Sequence, residues 1–161
     1  MIQKRLDNRN VLIKNRLYPT RQKPKGKHKA LLGIGGNISD VIRRFDRLYI
    51  YLSKSPLINI IESSPILKNP PFGYISQDDF HNALLLVETT LSPKELLRYV
   101  LSVEDRFGRR RSFANAPRTL DIDIIFYEDR VIKTKDLIVP HHDWKGRDSV
   151  VLPMSFMREY I

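Results

Sequence analysis

Two helix-period segments interleaved with four apolar runs constrain this chain more than any other feature. Residues 30–34 form a short apolar run ending in Gly35-Gly36-Asn37, which reads as a buried strand entering a tight turn. Ser39 then fits a helix N-cap with Asp40 in the first turn, and Val41, Phe45, Leu48 and Leu52 recur along one helical face. Residues 57–63 are apolar and β-branched, hence strand. Residues 65–79 contain Pro65, Pro70, Pro71 and Gly73 and read as a long loop, a length common in lids and binding loops. Residues 80–89 are a second, interior strand. Ser92-Pro93-Lys94-Glu95 is a capping box with proline at the first helical position. Leu96, Val100, Val103 and Phe107 continue at helical spacing, and Gly108 suits the C-terminal stop. A strand over 120–127, a turn at Glu128-Asp129, a short return strand at Val131-Ile132 and a last short helix within 146–160, interrupted by Pro153, complete the chain. The order is βαββαβ with additions. That is the α+β plan of a ferredoxin-like sandwich, with helices packed on one face of a mainly antiparallel sheet.

At 161 residues the chain suits one domain with a real core. It has no cysteine, which excludes disulfides and thiolate metal sites. No apolar run approaches the ~20 residues of a membrane span. The net charge of +10 is uneven: residues 1–29 hold ten of the 28 Lys/Arg and one of the 18 acids. The basic character therefore belongs to an N-terminal extension (1–29), and the domain proper (30–161) is nearly balanced. The extension has no apolar signal core. It reads as a partly ordered segment seating Ile2, Leu6, Leu12 and Leu17, as a tail, or as a targeting or RNA-contacting arm; Pro19, Pro24 and Gly26 read as its linker to the domain. The expectation is a cytoplasmic monomer that binds neither nucleic acid nor membrane.

The chemistry gathers late in the chain. In a strand over 120–127, Asp121 and Asp123 share one face, while Leu120, Ile122, Ile124 and Phe126 take the other, against the helices. Asp-x-Asp alone can be the solvated face of an edge strand. Here Arg106, Arg109, Arg110, Arg111 and Arg118 lie close by, and guanidinium groups bind phosphate oxygens in pairs. Carboxylates for a hard cation beside arginines for phosphate are what phosphoryl transfer needs, and oxygen donors point to Mg²⁺ over zinc. No Walker-type phosphate loop is present, so an ATP site must be of another design.

With these residues in view, the chain resembles the 6-hydroxymethyl-7,8-dihydropterin pyrophosphokinases of folate synthesis. The strongest motif is Pro117-Arg118-Thr119-Leu120-Asp121-Ile122-Asp123-Ile124. Gly35-x-Asn37, Ser64-Pro65, Phe80-x-Asn82, Glu104, Gly108-Arg109-x-Arg111, Pro140-His141 and Arg147 support it in the same order. The resemblance implies a ferredoxin-like fold and transfer of pyrophosphate from ATP to the pterin. It implies that Asp121 and Asp123 hold two Mg²⁺ ions, with Arg109 and Arg118 as catalytic phosphate clamps. Glu104, Arg109, Arg111, Arg118, Ile124, Ile138, His141, His142 and Arg147 would bind ATP; Ser64, Pro65, Leu67, Phe80 and Asn82 would bind the pterin. The chain departs from the family pattern at Ser149, where the family usually has Phe. It departs again at Ser112-Phe113-Ala114-Asn115-Ala116, where the family often has Trp, and at His142, commonly Tyr. Two rival classes are an RNA-binding module, which gives the aspartates no task and lacks an aromatic strand motif, and a different two-metal nucleotidyl transferase.

Overall fold

The structure, a computed structural model, describes residues 1–71 and 73–158. Strand β4 (His28–Gly36) runs into helix α1 (Val41–Ser53), followed by strands β5 (Ile58–Ser63), β6 (Ile66–Asn69) and β7 (Phe80–Thr89), helix α2 (Pro93–Arg106) and strand β8 (Asp121–Tyr127). The remaining elements are β1 (Ile2–Arg5), β2 (Val11–Lys14) and β3 (Thr20–Arg21) before this core, and β9 (Ile132–Lys133), β10 (Ile138–Val139) and helix α3 (Asp148–Ser155) after it. The fold is α+β, and every strand pair is antiparallel. β7 pairs with β4 along one edge, and β4 pairs with β8. Along its other edge β7 pairs with β5 and β6 in succession.

The local signals explain the helices. Ser92 accepts from the Glu95 backbone N–H, and the Glu95 carboxylate accepts from that of Ser92, closing the capping box. Gly108 lies at φ +82° after the helix, where a side chain would be strained. The cap of α1 falls one residue later than expected. Ser39 takes a left-handed conformation at φ +60°, and Asp40 caps, accepting from the Arg43 N–H at 3.1 Å.

Helices α1 and α2 pack on one sheet face through Val41, Phe45, Leu48, Leu96, Val100 and Val103, against Leu32, Ile34, Leu85, Val87, Ile122 and Ile124. The third helix breaks the one-sided expectation. The opposite face carries Leu31, Leu84, Leu86 and Ile125, covered by Val150 and Met157. Strand alternation also fails in β8, as it does at Ile61 of β5. Leu31 faces Phe126 but Leu32 faces Ile124, so Ile125 is an extra residue in a bulge. Beyond it the faces exchange: Phe126 lies with Ile125 against Trp144, and Tyr127 turns toward α1 and α2.

Two stretches differ from their sequence reading. The expected loop at 65–79 contains β6, paired with both β2 and β7. The expected return strand at 131–132 becomes β9, paired with β10 in a separate two-stranded ribbon. Residues 1–29, read as an extension, supply strands to the main sheet: β2 pairs with β6 and β3 with β5. Ile13 and Tyr18 are buried in the core cluster, and the Tyr18 hydroxyl donates to the Phe45 carbonyl at 2.8 Å. Of the apolar positions expected to seat this segment, Leu12 is buried and Leu17 packs on the core, Leu6 is half-buried and Ile2 is exposed. Glu88, fully buried, accepts from the backbone N–H groups of Lys25 and Lys27 and so fastens the expected linker. Among the described residues no helix is long and apolar enough to cross a membrane.

Candidate active site

The site is built on the sheet face that α3 only partly covers. Cross-strand pairing sets Leu67, Asn82, Gly35 and Asp121 in one row over β6, β7, β4 and β8, and sets Gly33 beside Asp123. The glycines leave the sheet floor bare next to the carboxylates. A Cβ on Gly35 would stand 2.6 Å from the Asn82 Oδ1, closer than real contacts allow. At Gly36 a Cβ would meet the Thr119 carbonyl at 2.5 Å, so the approach to β8 depends on that glycine too.

Arginines surround Asp121. Arg118 Nη1 lies 3.3 Å from Asp121 Oδ2, and Arg109 Nη1 lies 3.8 Å from Asp121 Oδ1. The Arg118 guanidinium also sits 5.1 Å from the centre of the Phe80 ring. Its backbone is held by Asn37, which accepts from the Arg118 N–H through Oδ1 and donates its own N–H to the Arg118 carbonyl, both at 3.0 Å. The Asn37 amide further donates to Gln77 Oε1 and the Asp78 carbonyl, and Gln77 donates to the Asn115 carbonyl. Three loops are thereby tied together beside Arg118.

Glu104, the buried acid of α2, accepts from the Ile122 backbone N–H at 2.6 Å and from Arg111 on its other oxygen. Burial raises its pKa, the Ile122 N–H opposes that rise, and Asp121 adds to it. Asp123 is pushed up to about 7, first by desolvation in the cleft and then by Asp121 and Glu104. His141 Nε2 stands 4.0 Å from Asp123 Oδ2. Its pKa is lowered by burial and by Arg147 and His142, the last stacked on it at 4.8 Å. Desolvation also lowers the pKa of Arg109, whose Nε and Nη1 are buried without a hydrogen-bond acceptor among the described residues.

Two cavities meet here. One, about 100 Å³, is lined by Phe80, Asn82, Arg118, Arg147 and Ser149, with Asn69, Pro70 and Asn115 at its rim. The other, about 270 Å³, is lined by Glu104, Arg111, Ile124, Ile138 and His142, with Leu97, Leu101 and Leu137. Asp121, Asp123 and His141 line both. Ser64, Pro65 and Leu67 are buried and line neither: the Ser64 hydroxyl donates to the Pro65 carbonyl and accepts from the Leu84 N–H. Asn69, Gln77 and Asn115 carry no sequence pattern; they reach the site through chain reversals that no local spacing reports. Asn69 accepts from the Asn82 amide at 3.0 Å.

The arrangement asks for two kinds of charge. Crowded carboxylates, with Asp123 pushed up to about 7 by burial, Asp121 and Glu104, are relieved by a cation. The unsatisfied Arg109 N–H groups are relieved by an anion. Among the described residues no three or more acidic or histidine side chains form a closed cage. Two carboxylates that leave the other positions to water and phosphate oxygens are a donor set that suits Mg²⁺. A sheet face presenting paired carboxylates among arginines, between two cavities, defines an enzyme that transfers phosphoryl or pyrophosphoryl groups.

Comparison narrows the class. A family model described as 7,8-dihydro-6-hydroxymethylpterin-pyrophosphokinase matches residues 31–159. The 2-amino-4-hydroxy-6-hydroxymethyldihydropteridine pyrophosphokinase of Helicobacter pylori is 36% identical, over 91% of this chain and 93% of its own length. That of Campylobacter jejuni is 40% identical, over 81% of this chain and 83% of its own length. A folic acid synthesis protein of Dictyostelium discoideum is 36% identical over 81% of this chain, which spans 20% of that longer protein. The chain belongs to the 7,8-dihydro-6-hydroxymethylpterin-pyrophosphokinase family, and it is a pyrophosphokinase of folate biosynthesis.

Proposed function

We propose that this protein transfers the β,γ-pyrophosphoryl group of ATP to the hydroxymethyl oxygen of 6-hydroxymethyl-7,8-dihydropterin. The oxygen bonds to the β-phosphorus and gives up its hydroxyl proton to solvent, the bond between that phosphorus and the oxygen bridging it to the α-phosphorus breaks, and AMP leaves. The observation that carries this is the position of Asp121 and Asp123, lining both cavities at once. A donor on one side and an acceptor on the other would meet at the carboxylates. Two Mg²⁺ ions held by Asp121 and Asp123 would neutralise the phosphates and orient the attack.

The chain's own residues do the remaining work. Glu104, Arg111, Ile124, Ile138, His141 and His142 line the larger cavity and form the nucleotide side, with the apolar walls for the base; Arg147, on the smaller cavity beside Asp123, would reach the nucleotide's phosphates where the two cavities meet. Phe80 and Asn82 take the pterin, the ring by its face and the amide by donors and acceptors at the heterocycle's edge; Ser64, Pro65 and Leu67 back that pocket. Arg109 and Arg118 clamp the phosphates, and Arg109 brings N–H donors already desolvated and without acceptors. The acceptor cavity of about 100 Å³ is small beside the roughly 300 Å³ of an ordinary ligand site. Moving Arg118 from the Phe80 ring onto phosphate enlarges it. Closure of the loops tied by Asn37 and Gln77 would then exclude water from the transfer.

We read the strand order β5-β7-β4-β8 with α1 and α2 on one face as the ferredoxin-like plan. On the same reading the protein works as a monomer in the cytoplasm. The test of function is a mass-spectrometric assay with ATP, Mg²⁺ and 6-hydroxymethyl-7,8-dihydropterin. AMP and pterin diphosphate should appear together and in equal amounts. Folded protein that yields neither, or that yields ADP, refutes the proposal.

A further inference from the structure

The N-terminal segment contacts the far end of the chain at one buried point. Asn10 closes the turn between β1 and β2 and is 1% exposed. Its backbone N–H donates to Asp7 Oδ1 at 2.8 Å, and its carbonyl accepts from the Leu6 N–H at 2.9 Å, so the turn is braced from within. Its side-chain amide donates to both Asp7 Oδ2 and Asp148 Oδ2, each at 3.0 Å. The Asn10 hydrogen bond comes first among the causes that hold the Asp7 carboxyl below the ordinary range.

Asp148 is the first residue of α3, and no side chain caps that helix. The two residues flanking Asp148, Arg147 and Ser149, both line the cavity beside Asp123. Beyond the β1–β2 turn, β2 is fixed in the sheet, with Leu12 paired to Leu67 in the row that continues through Asn82 and Gly35 to Asp121. The start of α3, which packs on the sheet through Val150, is thus tied by one further amide to the N-terminal segment. Asn10 lies outside residues 31–159, the stretch that the family model matches.

We propose that Asn10 is a positioning residue for Arg147, acting through Asp148, and that the N-terminal segment is a working part of the nucleotide site. The proposal rests on the reading of Arg147 as a nucleotide ligand. Losing the amide leaves the Asp148 carboxylate without its Asn10 donor and loosens the first residue of α3, although Val150 still packs on the sheet.

The experiment is calorimetric titration of the full chain with Mg²⁺ and a methylene-bridged ATP analogue. Asn10→Ala should raise Kd by roughly five-fold, and Asp148→Ala should do the same. Asp148→Asn keeps an acceptor oxygen and should bind like the parent protein. In an Arg147→Ala background, Asn10→Ala should have no further effect, which a general loss of packing would not reproduce. An unchanged Kd in Asn10→Ala, or an undiminished effect in the Arg147→Ala background, overturns the proposal. Should Asn10→Ala not fold, Asp148→Ala is judged by the same two criteria. Parent protein that does not bind the analogue refutes the nucleotide reading itself. Parent protein that binds it, with Arg147→Ala weakened and Asn10→Ala not, refutes only the role of Asn10.

Discussion

Glu104 has two tasks that substitution can separate. Its buried Oε2 is the acceptor for the Ile122 N–H, the backbone donor between the two aspartates, at 2.6 Å. Its charge is also one of the causes that raise the Asp123 pKa, after burial and Asp121. Glu104→Ala leaves that buried N–H without a partner, a cost of about 1–3 kcal/mol. For a domain of this size that is a fall of roughly 3–10 °C in Tm. Glu104→Gln keeps an oxygen for the Ile122 N–H and should retain most of the Tm. Both variants remove the same negative charge. In each, the Asp123 midpoint should fall below its value of about 7, yet stay above 3.8 because burial and Asp121 remain. Differential scanning calorimetry reads the first effect. Carbon-13 NMR titration of the aspartate carboxyls, with chelator present, reads the second. Equal destabilisation in both variants would refute the backbone role, and an unmoved midpoint in both would refute the charge role.

Other perturbations have outcomes set by the same geometry. Asp123→Ala should abolish pyrophosphoryl transfer with the thermal transition nearly intact. Its folded pKa of about 7 exceeds the ordinary 3.8, so the native state binds the extra proton between those values. Stability from this residue in the metal-free protein therefore falls as pH rises from about 4 to 7, and Asp123→Ala should flatten that part of the urea-derived profile. Glu88 has the opposite sign. Burial opposes its ionisation, but backbone donors from Lys25 and Lys27 outweigh that and hold its pKa below 4.5. Its contribution is full above that pH and lost as the pH falls through the lowered value, so hydrogen exchange should show residues 25–27 losing protection on acidification. Tyr18→Ala, at a fully buried position, should cost about 3–5 kcal/mol in chemical denaturation, while Ile2→Ala at an exposed one should cost next to nothing.

Much of this protein was legible without coordinates, because the signals concerned are short-range. Ser92, Pro93 and Glu95 cap a helix through contacts within one turn, and Gly108 ends it for a reason that lies in its own backbone. The spacing of Asp121 and Asp123 set them on one strand face, and the arginines from 106 to 118 made a phosphate ligand a chemical expectation. The family resemblance then supplied the pterin, which no spacing encodes.

Tertiary structure decided what depends on distant partners. The bulge at Ile125 sends Phe126 away from α1 and α2, since the extra residue exists only relative to β4. The basic segment, which reads in sequence as a partly ordered extension, a tail or a targeting or RNA-contacting arm, seats Ile13 and Tyr18 in the core because β2 and β3 find open edges on β6 and β5. Asn37, marked in sequence only as part of Gly35-x-Asn37, holds Arg118 from 81 residues away. Asn10 grips Asp148 across a separation of 138. Periodicity and capping are local properties that one stretch of chain carries by itself. Which loop meets which, and that two cavities share Asp121 and Asp123 as a wall, comes from closing the whole sheet.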